Sequence, residues 1–215
     1  IFLLLIKLPK VKSMIWTDNA PSNIALIKYM GKTNLDNVPT NSSLSYTLNH
    51  LQSYVSLELN HAADTWQPLN TVPQNPQLFS NAKSYLETKS FELSAAAQQR
   101  FIDFFQKLKQ YYDIKESFII RSANNFPDSC GLASSASSFA ALTKTAVKAF
   151  AELKQKPLPD IIAQAQLSQT GSGSSCRSFF SPWSIWTQNS VHSADLPQHD
   201  LIHMVIVVTD QVKAV

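Results

Sequence analysis

Hydrophobic positions come first in short blocks and then at helical spacing. Residues 20–29, APSNIALIKY, are apolar and β-branched and predict a strand. The polar stretch VPTNSSLS (38–45) predicts a turn leading into a short strand, and YVSLEL (54–59) alternates as a half-exposed strand does. Residues 60–80, rich in Asn, Pro and Gln, predict a long loop. Beyond them the period changes. Phe101, Phe104, Phe105, Leu108 and Tyr112 recur at three/four spacing behind Ser94, a residue type that caps helix starts. SFIIRS (117–122) predicts a strand. A Pro-containing loop follows, then a helix over about 132–153 with Ala136, Phe139, Thr143, Ala146, Val147 and Phe150 on one face. Pro157 and Pro159 break that helix, and a short one spans 160–168. WSIWT (183–187) and MVIVV (204–208) predict strands.

These elements describe an α+β domain with a mixed sheet packed with helices. Regular βαβαβ alternation is absent, which argues against a doubly wound Rossmann sheet. No repeat of 20–50 residues, charge run or interdomain linker interrupts the chain. Its 215 residues and 44% hydrophobic content suffice for a packed core. The net charge of +3 is spread along the sequence, so the clustered basic face of a nucleic-acid protein is not expected. Cys130 and Cys176 lie far apart without CxxC spacing and read as buried, reduced thiols. His199 and His203 stand four apart, but Pro197 and the apolar run behind them argue against a helical metal pair. The opening IFLLLIKLPKVKSM is too short to span a bilayer and carries no small-x-small cleavage site. Met14 then reads as the initiator and residues 1–13 as a non-native or disordered extension. A cytoplasmic protein without membrane contact is expected.

Glycine changes the picture. An average chain of this length holds about fifteen, and this one holds 4. They fall in three stretches: Gly31 in KYMGKT, Gly131 in DSCGLASSASS, and Gly171 and Gly173 in TGSGSSCRS. Each stretch is also rich in hydroxyls or cations. Glycine permits positive φ and close approach to the backbone, so bare main chain is expected at all three.

Ser134, Ser135, Ser137 and Ser138 crowd a predicted helix start, although serine is a mediocre helix former. A helix N-terminus presents unpaired N–H groups and a positive dipole end, and hydroxyls add ligands for phosphate and magnesium. In KYMGK, Lys28 and Lys32 can converge on one anion as point charges. In GSGSSCRS, a Gly/Ser nest is joined by Arg177, whose guanidinium matches a carboxylate or phosphate. GKT at 31–33 is not a phosphate-binding P-loop, because Leu26 holds the required upstream glycine position.

Taken together, APSNIALIKYMGK, VPTNSSLS, NNFPDSCGLASSASSFAAL and GSGSSCRS resemble the diphosphomevalonate decarboxylase family. That family is a branch of the galactokinase/homoserine kinase/mevalonate kinase/phosphomevalonate kinase superfamily. The resemblance runs from about Met14 onward and implies the N-terminal lobe of that fold. It implies ATP- and Mg2+-dependent conversion of mevalonate 5-diphosphate to isopentenyl diphosphate, through phosphorylation of the 3-hydroxyl and then loss of phosphate and carbon dioxide. A kinase that phosphorylates the 3-hydroxyl without decarboxylation, and a lobe that only binds nucleotide, are the alternatives. The substrate is then a small molecule, and a homodimer is left open.

By motif match, Tyr29, Met30, Gly31, Lys32, Ser172, Gly173, Ser174, Ser175, Cys176 and Arg177 would hold substrate. Arg177 would orient its carboxylate, and Lys28 would stabilise charge at the reacting oxygen. Arg100 matches a substrate-binding arginine on a weaker motif. Ser122, Gly131, Leu132, Ala133, Ser134, Ser135 and Ser137 would bind ATP, with Ser135 on magnesium. Members usually carry Trp at Met30 and Arg at Gln169. The family's catalytic aspartate belongs to a C-terminal lobe past Val215, so the chain reads as one lobe of a longer enzyme, inactive by itself.

Overall fold

The protein is described from a computed structural model that covers residues 14–33, 37–70, 93–126, 132–197 and 201–202. The strand expected at 204–208, Gly131, Cys130, His199, His203 and the extension at 1–13 lie outside the described residues.

A mixed sheet is organised around one long strand. β1 (Ile15–Ile27) runs antiparallel to β2 (Ser43–Asn60), which has 18 residues. Three further strands flank them: β3 (Thr65–Pro68), β4 (Ser117–Asn124) and β5 (Trp183–Trp186). The sheet order is β3-β4-β2-β5-β6, where β6 is Val191–Ala194, and β1 lies off this path against β2. Among the described residues, only the β3–β4 pairing is parallel. β2 holds β4 along its second half (Val55↔Ser122) and β5 along its first residues (Ser45↔Ser184).

This arrangement corrects the half-exposed reading of 54–59. Tyr54, Val55, Ser56 and Leu57 are all buried, because strands border β2 on both edges and a helix covers it. The long loop expected at 60–80 contains β3, which the sheet edge recruits; Trp66 Nε1 donates to Ser122 Oγ at 2.8 Å.

The helices follow their sequence signals. In α1 (Ala95–Tyr112), Ser94 Oγ accepts from Ala97 N, and Asp113 ends the helix in the left-handed region at φ 52°. Phe101, Phe104, Phe105 and Leu108 are buried against α2 (Ser134–Leu153) and the sheet. Each such side chain contributes about 1.5–3 kcal/mol of apolar burial. α2 is buried beyond its expected face. Ala140, Ala141, Ala146 and Ala149 have no exposed surface, and these small residues let β1, β2, α1 and the next helix approach closely. Asp160 caps that next helix, α3 (Ile161–Gly171), accepting from Ala163 N at 2.8 Å. A 3-10 helix over Gly173–Phe179 follows directly. No helix among the described residues is long and apolar enough to cross a membrane.

Candidate active site

The end of β1, the end of α3 and the 3-10 helix meet at one corner. Arg177 is its buried centre, 4% exposed, with Nη1 donating to Ser43 Oγ at 2.9 Å. Its guanidinium lies 5.8 Å from the ring centres of both Tyr29 and Trp186, which pack edge to face at 4.8 Å. Burial pulls the guanidinium pKa down from its ordinary value, yet an arginine stays protonated in a protein. Its Nε, buried, has no partner among the described residues. The corner therefore holds a fixed positive charge with an unused donor.

Lys32 and Arg100 reach the same corner from opposite sides. Lys32 Nζ donates to Asn37 Oδ1, and Asn37 Nδ2 donates to the carbonyls of Gln169 and Thr170 at 2.9 and 3.0 Å. Arg100, on α1, donates to the Gly171 carbonyl at 3.1 Å and lies 5.0 Å from the Phe139 ring centre. No carboxylate pairs with Lys28, Lys32, Arg100 or Arg177 among the described residues. Lys28 is exposed, Met30 is 85% exposed, and Asn41 ties their backbone by accepting from Met30 N and donating to the Lys28 carbonyl.

Space, rather than backbone sign, explains two glycines here. A Cβ on Gly171 would stand 2.5 Å from Phe139 and 2.6 Å from Phe104; one on Gly173 would stand 3.0 Å from Trp186 and 3.4 Å from Tyr29 Oη. Neither has a positive φ. A Cβ on Gly31 would instead stand 3.1 Å from Thr40 Oγ1.

The serines of GSGSSCRS divide. Ser172 is buried and Ser174 partly exposed. Ser175 and Cys176 are fully buried. Ser175 Oγ donates to the Ser172 carbonyl and pairs with Ser168 Oγ, both at 2.6 Å. The Cys176 thiol donates to the Gly173 carbonyl at 3.2 Å, and burial pushes its pKa up to about 12. These two side chains build the turn and present no exposed surface.

The start of α2 has the opposite character. Ala133 takes the N-cap position at φ 54°, ψ 38°, and no side chain among the described residues caps the helix. Ser135 is exposed, Ser134 is partly so, and neither hydroxyl has a partner among the described residues. Ser137 and Ser138 turn inward. Ser137 Oγ, fully buried, pairs with Ser53 Oγ at 2.7 Å, and Ser138 Oγ donates to Ser53 Oγ at 3.2 Å. Leu132 is buried, its carbonyl accepting from Ser22 Oγ. Ser122 Oγ is occupied by Trp66. Asn37 and Ser43 escaped the sequence analysis; an asparagine just before Val-Pro, suited to the left-handed region, was the available signal for the first.

A lobe with this topology, carrying a cationic corner and an uncapped serine-rich helix start, has known relatives. The diphosphomevalonate decarboxylase-like N-terminal domain model matches residues 20–196. The chain belongs to that family. It is similar to a mevalonate diphosphate decarboxylase of Legionella pneumophila, with 53% identity and a TM-score of 0.78 over 92% of this chain and 59% of that one. The Enterococcus faecalis mevalonate diphosphate decarboxylase is 27% identical, with a TM-score of 0.63 over 86% of this chain and 52% of that one. Among curated proteins, the diphosphomevalonate decarboxylase of Gibberella zeae is 34% identical over 85% of this chain and 46% of its own length. The chain thus spans about half the length of the curated relatives it matches.

Proposed function

We propose that the protein carrying this chain converts mevalonate 5-diphosphate, with ATP and magnesium, to isopentenyl diphosphate, phosphate, ADP and carbon dioxide. The observation that carries this reading is the gathering of Lys32, Arg100 and Arg177 around residues 171–173 with no carboxylate partner among the described residues. Such a corner suits a small, highly anionic molecule bearing a diphosphate and a carboxylate. A relative, MDDEF, has been solved in complex with MVAPP, AMPPCP and magnesium.

In this reading Lys32, Tyr29 and the backbone at Met30 and Gly31 hold the diphosphate, together with Ser172, Gly173 and Ser174. Arg100 supports them from α1. Arg177 orients the carboxylate, and its fixed seat on Ser43 keeps the contact from tightening as the carboxylate departs. Lys28 stabilises charge at the 3-oxygen. ATP and magnesium, when bound, supply the phosphoryl group and neutralise its charge. The uncapped start of α2 fits them by the chemistry of its donors: first-turn amides of Ala133, Ser134 and Ser135 with two open hydroxyls. Ser135 suits the metal and Ser134 the phosphates. Ser137 and Leu132 support this turn from within the fold, through Ser53 and Ser22, while the Ser122 hydroxyl accepts from Trp66 of β3.

The substrate's tertiary hydroxyl accepts the phosphoryl group. The bond to the carboxylate then breaks, and its electron pair forms the alkene as phosphate leaves. The test is product analysis by mass after incubating the protein with ATP, magnesium and mevalonate 5-diphosphate. Equimolar carbon dioxide and isopentenyl diphosphate support the proposal. A phosphorylated, undecarboxylated product would replace it with the kinase reading, and ADP release without either product would defeat both.

A further inference from the structure

Asn37 has a backbone few residues adopt and a side chain with three partners. Its φ is 59°, in the left-handed region that asparagine tolerates better than most residues. Oδ1 accepts from Lys32 Nζ, while Nδ2 donates to the carbonyls of Gln169 and Thr170. Those carbonyls belong to the last turn of α3, where a helix leaves its C=O groups without internal partners. Its Cβ lies 3.4 Å from where a Gly173 Cβ would stand. Around it the loop is held by Thr33 N donating to the Val38 carbonyl at 2.9 Å and Thr40 N to the Gly31 carbonyl at 3.0 Å.

We infer that Asn37 is a positioning residue that sets the Lys32 ammonium against residues 171–173 and presents its charge undiminished to a bound diphosphate. The chemistry of the amide makes the case. An ammonium has three donors, and Asn37 takes one, leaving two for a ligand. A carboxylate at this position would hold Lys32 equally well but would cancel its charge. The amide holds it neutrally, and its own N–H groups fasten it to α3. One side chain thus joins two stretches that are separate in sequence. This rests on the reading that the corner binds a diphosphate, so the experiment measures binding apart from turnover.

Inorganic pyrophosphate serves as the probe in calorimetric titration of wild type, Asn37→Gly, Asn37→Asp, Lys32→Ala and the double variant Lys32→Ala/Asn37→Gly. Glycine keeps the left-handed backbone and removes all three bonds; its expected cost is about tenfold in pyrophosphate affinity. Aspartate is isosteric and carries the test if the glycine variant does not fold. It adds a negative charge and loses the donors, for an expected loss of about a hundredfold. On the Lys32→Ala background, Asn37→Gly should add less than about twofold. In turnover, KM for mevalonate 5-diphosphate should rise by the same factors while KM for ATP stays unchanged, a split that general loosening of the fold would not give. Three results overturn the inference: no pyrophosphate binding by wild type, unchanged binding in both Asn37 variants, or an Asn37→Gly effect that persists in full without Lys32. If the expected binding pattern is found but mevalonate 5-diphosphate is not turned over, the inference stands and the proposed reaction alone fails.

Discussion

Around residues 171–173 the cations already have protein partners: Lys32 on Asn37, Arg100 on the Gly171 carbonyl, Arg177 on Ser43. The first turn of α2 keeps the hydroxyls of Ser134 and Ser135 open among the described residues and lacks a side-chain cap. The contrast separates two tasks. A flexible charged side chain must be immobilised before it can orient a ligand. A helix start already has its amides fixed by the backbone, and any cap would compete with a phosphate for them.

Arg177→Met should separate the two regions most sharply. Turnover of mevalonate 5-diphosphate should fall about a thousandfold. The melting temperature should hold or rise, since an apolar side chain of similar length removes the cost of burying a charge. A large drop in melting temperature with turnover retained would make Arg177 a structural residue and dissolve the contrast. Gly171→Ala should do the reverse. Its methyl group would meet Phe139 and Phe104 ring atoms within 2.7 Å, so denaturant unfolding should show about 1–3 kcal/mol of lost stability.

Within α2, Ser135→Ala should raise KM for the magnesium–ATP complex about tenfold and leave stability unchanged. Ser137→Ala should instead cost about 1 kcal/mol of stability through loss of the bond to Ser53; equal behaviour of the two serines would refute the inward–outward division. Alkaline titration tests the interior of the turn. The native Cys176 thiol keeps its proton to about pH 12, against an ordinary value of 9.0. The unfolded chain binds fewer protons between those limits, so stability is unaffected below pH 9 and falls as pH rises above it. The expected loss from pH 9 to pH 10 is about 1 kcal/mol, absent in Cys176→Ala. The smallest effect is expected at Ala133, whose φ of 54° strains any residue with a Cβ. Ala133→Gly should stabilise by about 0.5–1 kcal/mol in the same unfolding measurement.

Much of this fold was legible from short-range signals. The Ser94 cap and the three/four spacing of Phe101, Phe104, Phe105 and Leu108 located α1, because capping and periodicity are properties of neighbouring residues. β3 and β6 were not: TWQP and VHSA lack the apolar, aromatic run that marks the equally short β5, and they pair with β4 and β5 at the sheet edges. The burial of 54–57 depended on which strands flank β2, information that alternation does not contain. The scarcity of glycine has a packing reason at two positions: Gly171 and Gly173 make room for aromatic rings, where the sequence suggested bare backbone for a ligand. The serine cluster was legible in composition only. Which hydroxyls turn inward is set by the helical phase of α2 over Ser53, a tertiary fact.

β2 touches both regions. Near its start Ser43 seats Arg177, and farther along Ser53 receives Ser137 and Ser138. One ribbon of main chain therefore gauges the distance between Arg177 and the first turn of α2. Side chains alternate along it, so a single residue inserted between Ser43 and Leu48 would turn Ser43 to the opposite face. The lobe can accept longer loops elsewhere, but the spacing along this strand cannot drift without uncoupling the seat of Arg177 from that of Ser137.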